Sequence, residues 1–431
     1  MNIKFFTNSE GTEKVKMKCV RNVLSGVAIL MVASRAFGAS SAADCDVAAY
    51  YWPNWHVDAR NEQKLGKDWT EWELVKAATP RFPGHVQPRV PLWGYGDEAD
   101  PKVMAQKIDA AADNGLTAFI FDWYYYNEGI ALDRCLREGF LKAPNRNRLK
   151  FAIMWANHDY IDLFPAKIGK QKALWNAGAV SREAFVKATD VMIKDYFSQP
   201  NYWKIGGLPY FSIYELHTLM KGLGGAEQTR QAFEDFRRRC KAAGLPGVHI
   251  NVVAWGVQLD TVGSEPVRDI SSMDKPAVIV KDAAGLIAAL GINSVTSYVW
   301  VHHVGIPAFP SYPYEKWGDE AVKQWPGFQS QFKVPYHPNV SVGWDATPRT
   351  DQKQEFKNAG YPHMSVITGG TPAAFRKYLE KAKAYLDTRP PGERILTINS
   401  WNEWTEGSYL ELDSRTKMEY LDALKAVFPP R

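Results

Sequence analysis

Apolar runs that end on aromatic or polar tips recur along the chain, and each is followed by a stretch of helical spacing. The runs cover residues 47–52, 117–123, 150–155, 209–214, 249–255, 294–300, 339–344 and 395–401. Short, nearly continuous apolar segments rich in β-branched and aromatic residues predict strands covered on both faces. Helical patterns lie at 101–114, 131–141, 182–197, 227–243, 283–290, 314–324, 372–386 and 415–427. Two of them open with a capping residue and a proline at the first helical position, Asp100 with Pro101 and Thr371 with Pro372. Eight strands alternating with eight helices predict a closed parallel (β/α)8 barrel over residues 44–431. A doubly wound open sheet would show a Gly-rich turn after an early strand, and none stands here.

A parallel barrel gathers the C-terminal ends of its strands on one rim, where active sites sit. The strand tips carry Tyr51 and Trp52, Asp122 and Trp123, Trp155 and Asn157, Tyr214 and Glu215, Trp255, Trp300 with His302 and His303, and Trp344 with Asp345. The eighth tip is the richest. After the apolar run come Asn402, Glu403, Trp404 and Glu406, two carboxylates three residues apart between indoles. Carboxylates are seldom buried without a partner, and burial raises their pKa. Glycoside chemistry uses such a pair, one acid holding a proton for the departing oxygen and one ionised. Residues three apart on a helical turn have Cβ atoms about 5 to 6 Å apart, which suits the carboxyl spacing of retaining enzymes, about 5 to 5.5 Å.

Composition narrows the classes without deciding among them. The 431 residues are 45% hydrophobic, with 16 Trp, enough for a large core. A net charge of +5 with no basic block beyond the N-terminal region gives no nucleic-acid footprint. Lys14, Lys16, Lys18 and Arg21 precede an apolar stretch at 23–33 and small residues at 36–43, the pattern of an export leader over residues 1–43, with Met1 or Met17 as its start. Arg35 interrupts the run, which argues against a membrane anchor. The mature chain is therefore expected in the periplasm or outside the cell, with no membrane insertion after cleavage. Cys45, Cys135 and Cys240 would remain, and buried structural thiols are the expected reading.

Three motifs in order carry a family resemblance: WTEWELVKAATPRFPGHVQPRVP at 69–91, GWDATPR at 343–349 and SWNEWTEG at 400–407. Together they resemble the WbsX-like group, related to glycoside hydrolase family 99, over about residues 48–412. The resemblance implies a (β/α)8 barrel and cleavage of α-mannosidic linkages with retention, through a 1,2-anhydro sugar. Residue by residue, it implies Glu403 as base towards the sugar's 2-hydroxyl and Glu406 as general acid. It also implies Tyr51, Trp123, Tyr214 and His85 as subsite residues. The chain departs from family 99 at Thr405, where that family has His.

Several tempting features have plainer readings. Glu71 and Glu73 read as a solvated face, and 69–72 as a lid or subsite wall. Neighbouring His302 and His303 leave the chain on opposite sides, so one at most faces the site, and no metal-ligand set or cofactor motif is visible. Asp44 and Asp46 form a DxD string ahead of the first strand, where chance explains it. The expected partner is a carbohydrate. A retaining glycoside hydrolase, a glycosyltransferase or transglycosylase of surface polysaccharide, and a non-catalytic glycan-binding protein all remain open, as do the linkage, endo or exo action and oligomeric state.

Overall fold

A computed structural model of the protein describes residues 45–256, 267–268, 276–277 and 283–431. The expected leader and Asp44 lie outside the described residues. The barrel strands are β1 (Asp46–Tyr51), β2 (Ala118–Tyr126), β3 (Lys150–Trp155), β4 (Leu208–Ile213), β5 (His249–Val253) and β6 (Ser294–Thr296), followed by β7, in two pieces (Tyr336–His337 and Asn339–Ser341), and β8 (Ile395–Asn399). Each pairs in parallel with its sequence neighbour, and β8 returns to β1 through Asp46↔Ile395 to Ala49↔Ile398. Pro338 divides β7 because it has no N–H to give. Its carbonyl still accepts from the Thr397 amide at 2.9 Å, so one piece pairs with β6, the other with β8, and the barrel closes.

Strand alternation sends one set of side chains into the barrel and the other under the helices. The interior set is unusually polar. Ser212, Asn251, His249 and Ser294 form a hydrogen-bonded chain at 2.7–2.8 Å, and Thr296 meets Thr397 at 3.2 Å. The outward set is aromatic and aliphatic, and it packs on helices that include Pro101–Asp113, Tyr314–Phe332 and Pro372–Asp387. Asp100 and Thr371 cap the first and last of these as expected, accepting from Lys102 N at 2.8 Å and Ala374 N at 3.1 Å.

The departures from the expected elements are local. β2 runs on to Tyr126 and turns back at Gly129 (φ 104°) into a short antiparallel strand, Gly129–Ala131, so the following helix shrinks to the turns Cys135–Gly139 and Phe140–Lys142. Tyr314–Phe332 carries Pro326 inside it, because Trp325 and Phe332 beyond the expected end are also buried. The last helix starts only at Glu419, after Lys417 takes a left-handed turn (φ 48°). Cys45, Cys135 and Cys240 are free and buried. Asp46 accepts from Trp203 Nε1 and Arg431 at the start of β1, away from the rim. No described helix is long and apolar enough to cross a membrane.

Candidate active site

β8 ends at Asn399, and the chain then makes a tight excursion, Asn402–Glu403, a 3-10 turn Trp404–Glu406, and a return at Ser408–Tyr409. Gly407 closes it with φ 62°. A Cβ there would lie 2.7 Å from Asp345 Cβ, and one on Gly343 would lie 2.5 Å from the Gly407 carbonyl. Both glycines are needed for the ends of β7 and β8 to meet, and the Asp345 amide then donates to the Glu406 carbonyl at 2.5 Å.

Glu403 and Glu406 both face a cavity of about 640 Å³ at the rim, within the size range of small-ligand sites. Between them sits Arg349, from the loop after β7. Nη2 donates to Glu403 Oε1, and Nη1 donates to Glu406 Oε1 and to the Tyr361 hydroxyl. Tyr361 in turn donates to Glu406 Oε1 at 2.7 Å. Arg349 Nε reaches Thr405 Oγ1 at 2.9 Å, and Nη2 reaches Glu71 Oε1 at 3.1 Å. Trp52 and Phe164 flank the guanidinium at 5.2 and 5.1 Å, within cation–π range. One buried cation thus serves three buried carboxylates.

Glu71 corrects the expectation of a solvated face. It is 0% exposed, and its Oε2 accepts from Trp52 Nε1 and Asn54 Nδ2, both at 2.8 Å. The carboxyl is tolerated there because both its oxygens find donors. Glu73, two residues on, is exposed and pairs with Lys76. Trp72 is no subsite wall either: its ring packs on Trp55 at 4.0 Å, and its N–H is bound to the Gly96 carbonyl.

Burial pushes the Glu403 carboxyl well above its ordinary value, Arg349 opposes this, and Glu406, Glu71 and Asp122 add to it. Glu406 is raised by burial too, against Arg349 and Tyr361. Glu403 Oε2 has no hydrogen-bond partner among the described residues. Asp122, raised well above its usual range by burial, accepts from Tyr298 at 2.8 Å, and its other oxygen has no partner among the described residues. His302 faces the cavity with Nε2 3.3 Å from the Tyr214 hydroxyl, and burial lowers it to about 3, so it is neutral. His303 points away, to Gln324.

Of the expected site residues, Trp52, Asp122, Tyr214, Glu215, His302, Trp344, Glu403 and Glu406 line the cavity. The others do not, and alternation or backbone service explains each. Tyr51 and Trp123 point out of the barrel, Tyr51 to Met104 and Trp123 onto Tyr196. Trp155 packs outward on Phe185, and Trp300 lies under Trp317 and Tyr378. Asn157 ties β3 to β4 through both backbone groups of Glu215 at 2.8 Å. Asn402 does the same for Trp52, at 2.7 and 2.8 Å, and Trp404 Nε1 is bound to Glu411 at 2.7 Å. Trp255 stands behind Tyr214 and His302. His85 and Gln87 each reach Asp345 Oδ2 at 2.8 Å; burial opposes ionisation there, but His85 and Arg89 hold that carboxyl well below the usual range. These residues support the site from behind.

Arg349, Glu71, Tyr361 and Tyr298 complete the constellation and were not among the sequence candidates. Arg349 and Glu71 stood within quoted motifs, but nothing local distinguishes a charged residue that will meet partners 278 or 54 positions away.

The family model described as Glycosyltransferase WbsX matches residues 47–424. Protein WxcX of Xanthomonas campestris pv. campestris strain B100, described as uncharacterized, is 27% identical over 382 residues, covering 88% of this chain and 49% of that protein. Its counterpart in a second strain of that pathovar is 27% identical over 407 residues, covering 92% and 52%. The chain spans about half the length of these curated relatives. Among solved structures, the GH99 endo-alpha-mannosidase from Bacteroides thetaiotaomicron superposes with TM-score 0.51 at 13% identity, over 89% of this chain and 95% of that one. A glycoside hydrolase-like protein gives 0.53 at 13%, over 89% and 94%. At that identity the likeness speaks for the barrel alone. The match to the family model runs through nearly the whole barrel, from β1 to the last helix, and the chain belongs to the WbsX glycosyltransferase family.

Proposed function

We propose that the protein is an exported, retaining glycoside hydrolase that cuts an α-mannoside-like linkage in an oligo- or polysaccharide with Glu403 and Glu406. The observation that carries this reading is the pair of cavity-facing carboxyls held on the two terminal nitrogens of one guanidinium. A planar fork keeps its two partners close, which favours the short carboxyl separation of retaining enzymes over the wider inverting one, about 6.5 to 9.5 Å.

In the proposed cycle, the sugar's 2-hydroxyl gives its proton to Glu403, whose open Oε2 suits that bond. O2 then closes on the anomeric carbon as the glycosidic bond breaks, and Glu406 gives its proton to the departing oxygen. Water, deprotonated by Glu406, reopens the 1,2-anhydro ring at the anomeric carbon, and Glu403 returns its proton to O2. Burial raises Glu403 most in the free site, so the stored proton passes to Glu406 as the hydroxyl engages. Arg349, touching both, keeps the pair's charge balanced through the transfer.

The test is hydrolysis of a panel of defined oligosaccharides, with the released anomer read by NMR. Glu403→Gln and Glu406→Gln should each lose about 10²–10⁴-fold in turnover with unchanged circular dichroism; near wild-type hydrolysis by either variant would defeat the assignment. The family's description favours a second reading, transfer of the sugar to an acceptor hydroxyl in place of water. Longer products appearing when acceptor is added would select it.

A further inference from the structure

Resting on the reading of the cavity as a glycan site, we infer that it takes a neutral pyranose carrying a methyl group, either on the ring as in a 6-deoxy sugar or on an N-acetyl substituent at a carbon other than C2, where the hydroxyl must stay free. The chain leaves β3 at Ala156 and makes an excursion through a small hairpin, Tyr160–Ile161 paired with Leu174–Asn176, before the helix Arg182–Val191. This excursion brings Ile161, Leu163, Leu174 and Ala177 to the cavity, and Met154 and Met364 add to its aliphatic surface. Leu174 is 56% exposed and carries that surface out to the lip.

The polar side is largely committed within the protein: the hydroxyls of Tyr124, Tyr160, Tyr214, Tyr298 and Tyr361 are bonded to His158, Asn61, His302, Asp122 and Glu406. Among the described lining residues there is no Asn, Gln or Ser, and the hydroxyl of the one Thr, Thr218, is bound to Glu215. Among the described lining groups not otherwise bonded are Glu403 Oε2, Asp122 Oδ1, His302 Nδ1 and Trp344 Nε1. A sugar with a hydroxyl on every carbon would bury some of them against carbon, where each unpaired hydroxyl is penalised. A methyl group in the same place gains from burial. Charge points to a neutral ligand. The Lys and Arg side chains of the described lining are Lys221 and Arg349, and Arg349 is already committed to three carboxylates.

Matched pairs of one configurational series test this: the methyl glycosides of D-rhamnose and D-mannose, D-fucose and D-galactose, and 3-acetamido-3-deoxy-D-glucose and D-glucose, titrated calorimetrically into the full-length Glu403→Gln protein. The same pairs as nitrophenyl glycosides are given to the wild type. The methyl-bearing member of at least one pair should bind about ten- to a hundredfold more tightly, the range one such group is worth in an apolar pocket. The pair that responds tells ring methyl from N-acetyl. Leu163→Asn and Ile161→Asn should each narrow the ratio. Parity or preference for the hydroxylated member in every pair, or no binding at all, overturns the inference. Selective binding with no hydrolysis of any pair or of the oligosaccharide panel would leave this inference standing and remove the hydrolase reading; equal binding and hydrolysis of both members would do the reverse.

Discussion

Arg349→Met takes away the guanidinium that faces Glu71, Glu403 and Glu406 and leaves a side chain that fills much of the same space between Trp52 and Phe164. Three buried carboxyls without a cation cannot keep the same charge, so at least one more of them binds a proton in the folded state. In the unfolded chain that group returns to its ordinary value, 4.5. Holding it neutral at pH 7 therefore costs about 3.4 kcal/mol, and at pH 5 only about 0.7 kcal/mol, at about 1.36 kcal/mol per pH unit. The sign follows from proton binding: a folded pKa raised above the unfolded one gives stability that is fully present below about pH 4.5 and is lost as pH rises. The hydrogen bonds that Thr405 and Tyr361 lose add about 1–3 kcal/mol with no such pH dependence. Urea unfolding followed by tryptophan fluorescence at pH 5 and pH 7 should then show the variant's deficit growing by about 2.7 kcal/mol over those two units. An equal deficit at both pH values would mean that the carboxyls were not charge-coupled through Arg349.

Lys107 lies between Glu98 and Glu411, both buried; burial pushes Glu98 up to about 7, and Glu411 binds the indoles of Trp401 and Trp404 beside Glu403. Lys107→Met should cost about 3–5 kcal/mol in urea unfolding and lower turnover, since the turn carrying Glu403 loses its backing; unchanged stability would show the cluster to be dispensable. Gly407→Ala meets both a left-handed backbone and Asp345 Cβ, and kcat should fall tenfold or more, on the order of what a small misplacement of a catalytic group costs. Asp345→Asn removes a carboxylate held below 3.8. Its folded pKa is depressed, so the stabilising effect is present above that value and fades as pH falls. The variant's deficit in thermal melts should be full at pH 7 and shrink below pH 4.

The barrel was legible because each strand tip repeats a local pattern that alternation and capping translate directly. The predicted strands and the eight strands of the barrel agree in number and order, and they differ where a proline or glycine redirects the backbone, as at Pro338 and Gly129. The carboxylate pair was legible for the same local reason, two acids in one short turn. The rim aromatics were legible only as a set. Trp123 and Asp122 are adjacent, and which one enters the barrel depends on strand phase, a single-residue matter that an unbroken apolar run does not record.

The chain's own order of residues settled the eight-fold alternation and the position of Glu403 and Glu406 at the last strand end. Folding alone decided that Glu71 is buried, that Arg349 stands between the two acids, and that the excursion after β3 makes much of the cavity aliphatic. Hydrophobic periodicity and turn chemistry act over a few residues, so they can be read in one dimension. A guanidinium shared by three carboxylates is a long-range electrostatic solution, reached only when the loops after β1, β7 and β8 close over the same rim.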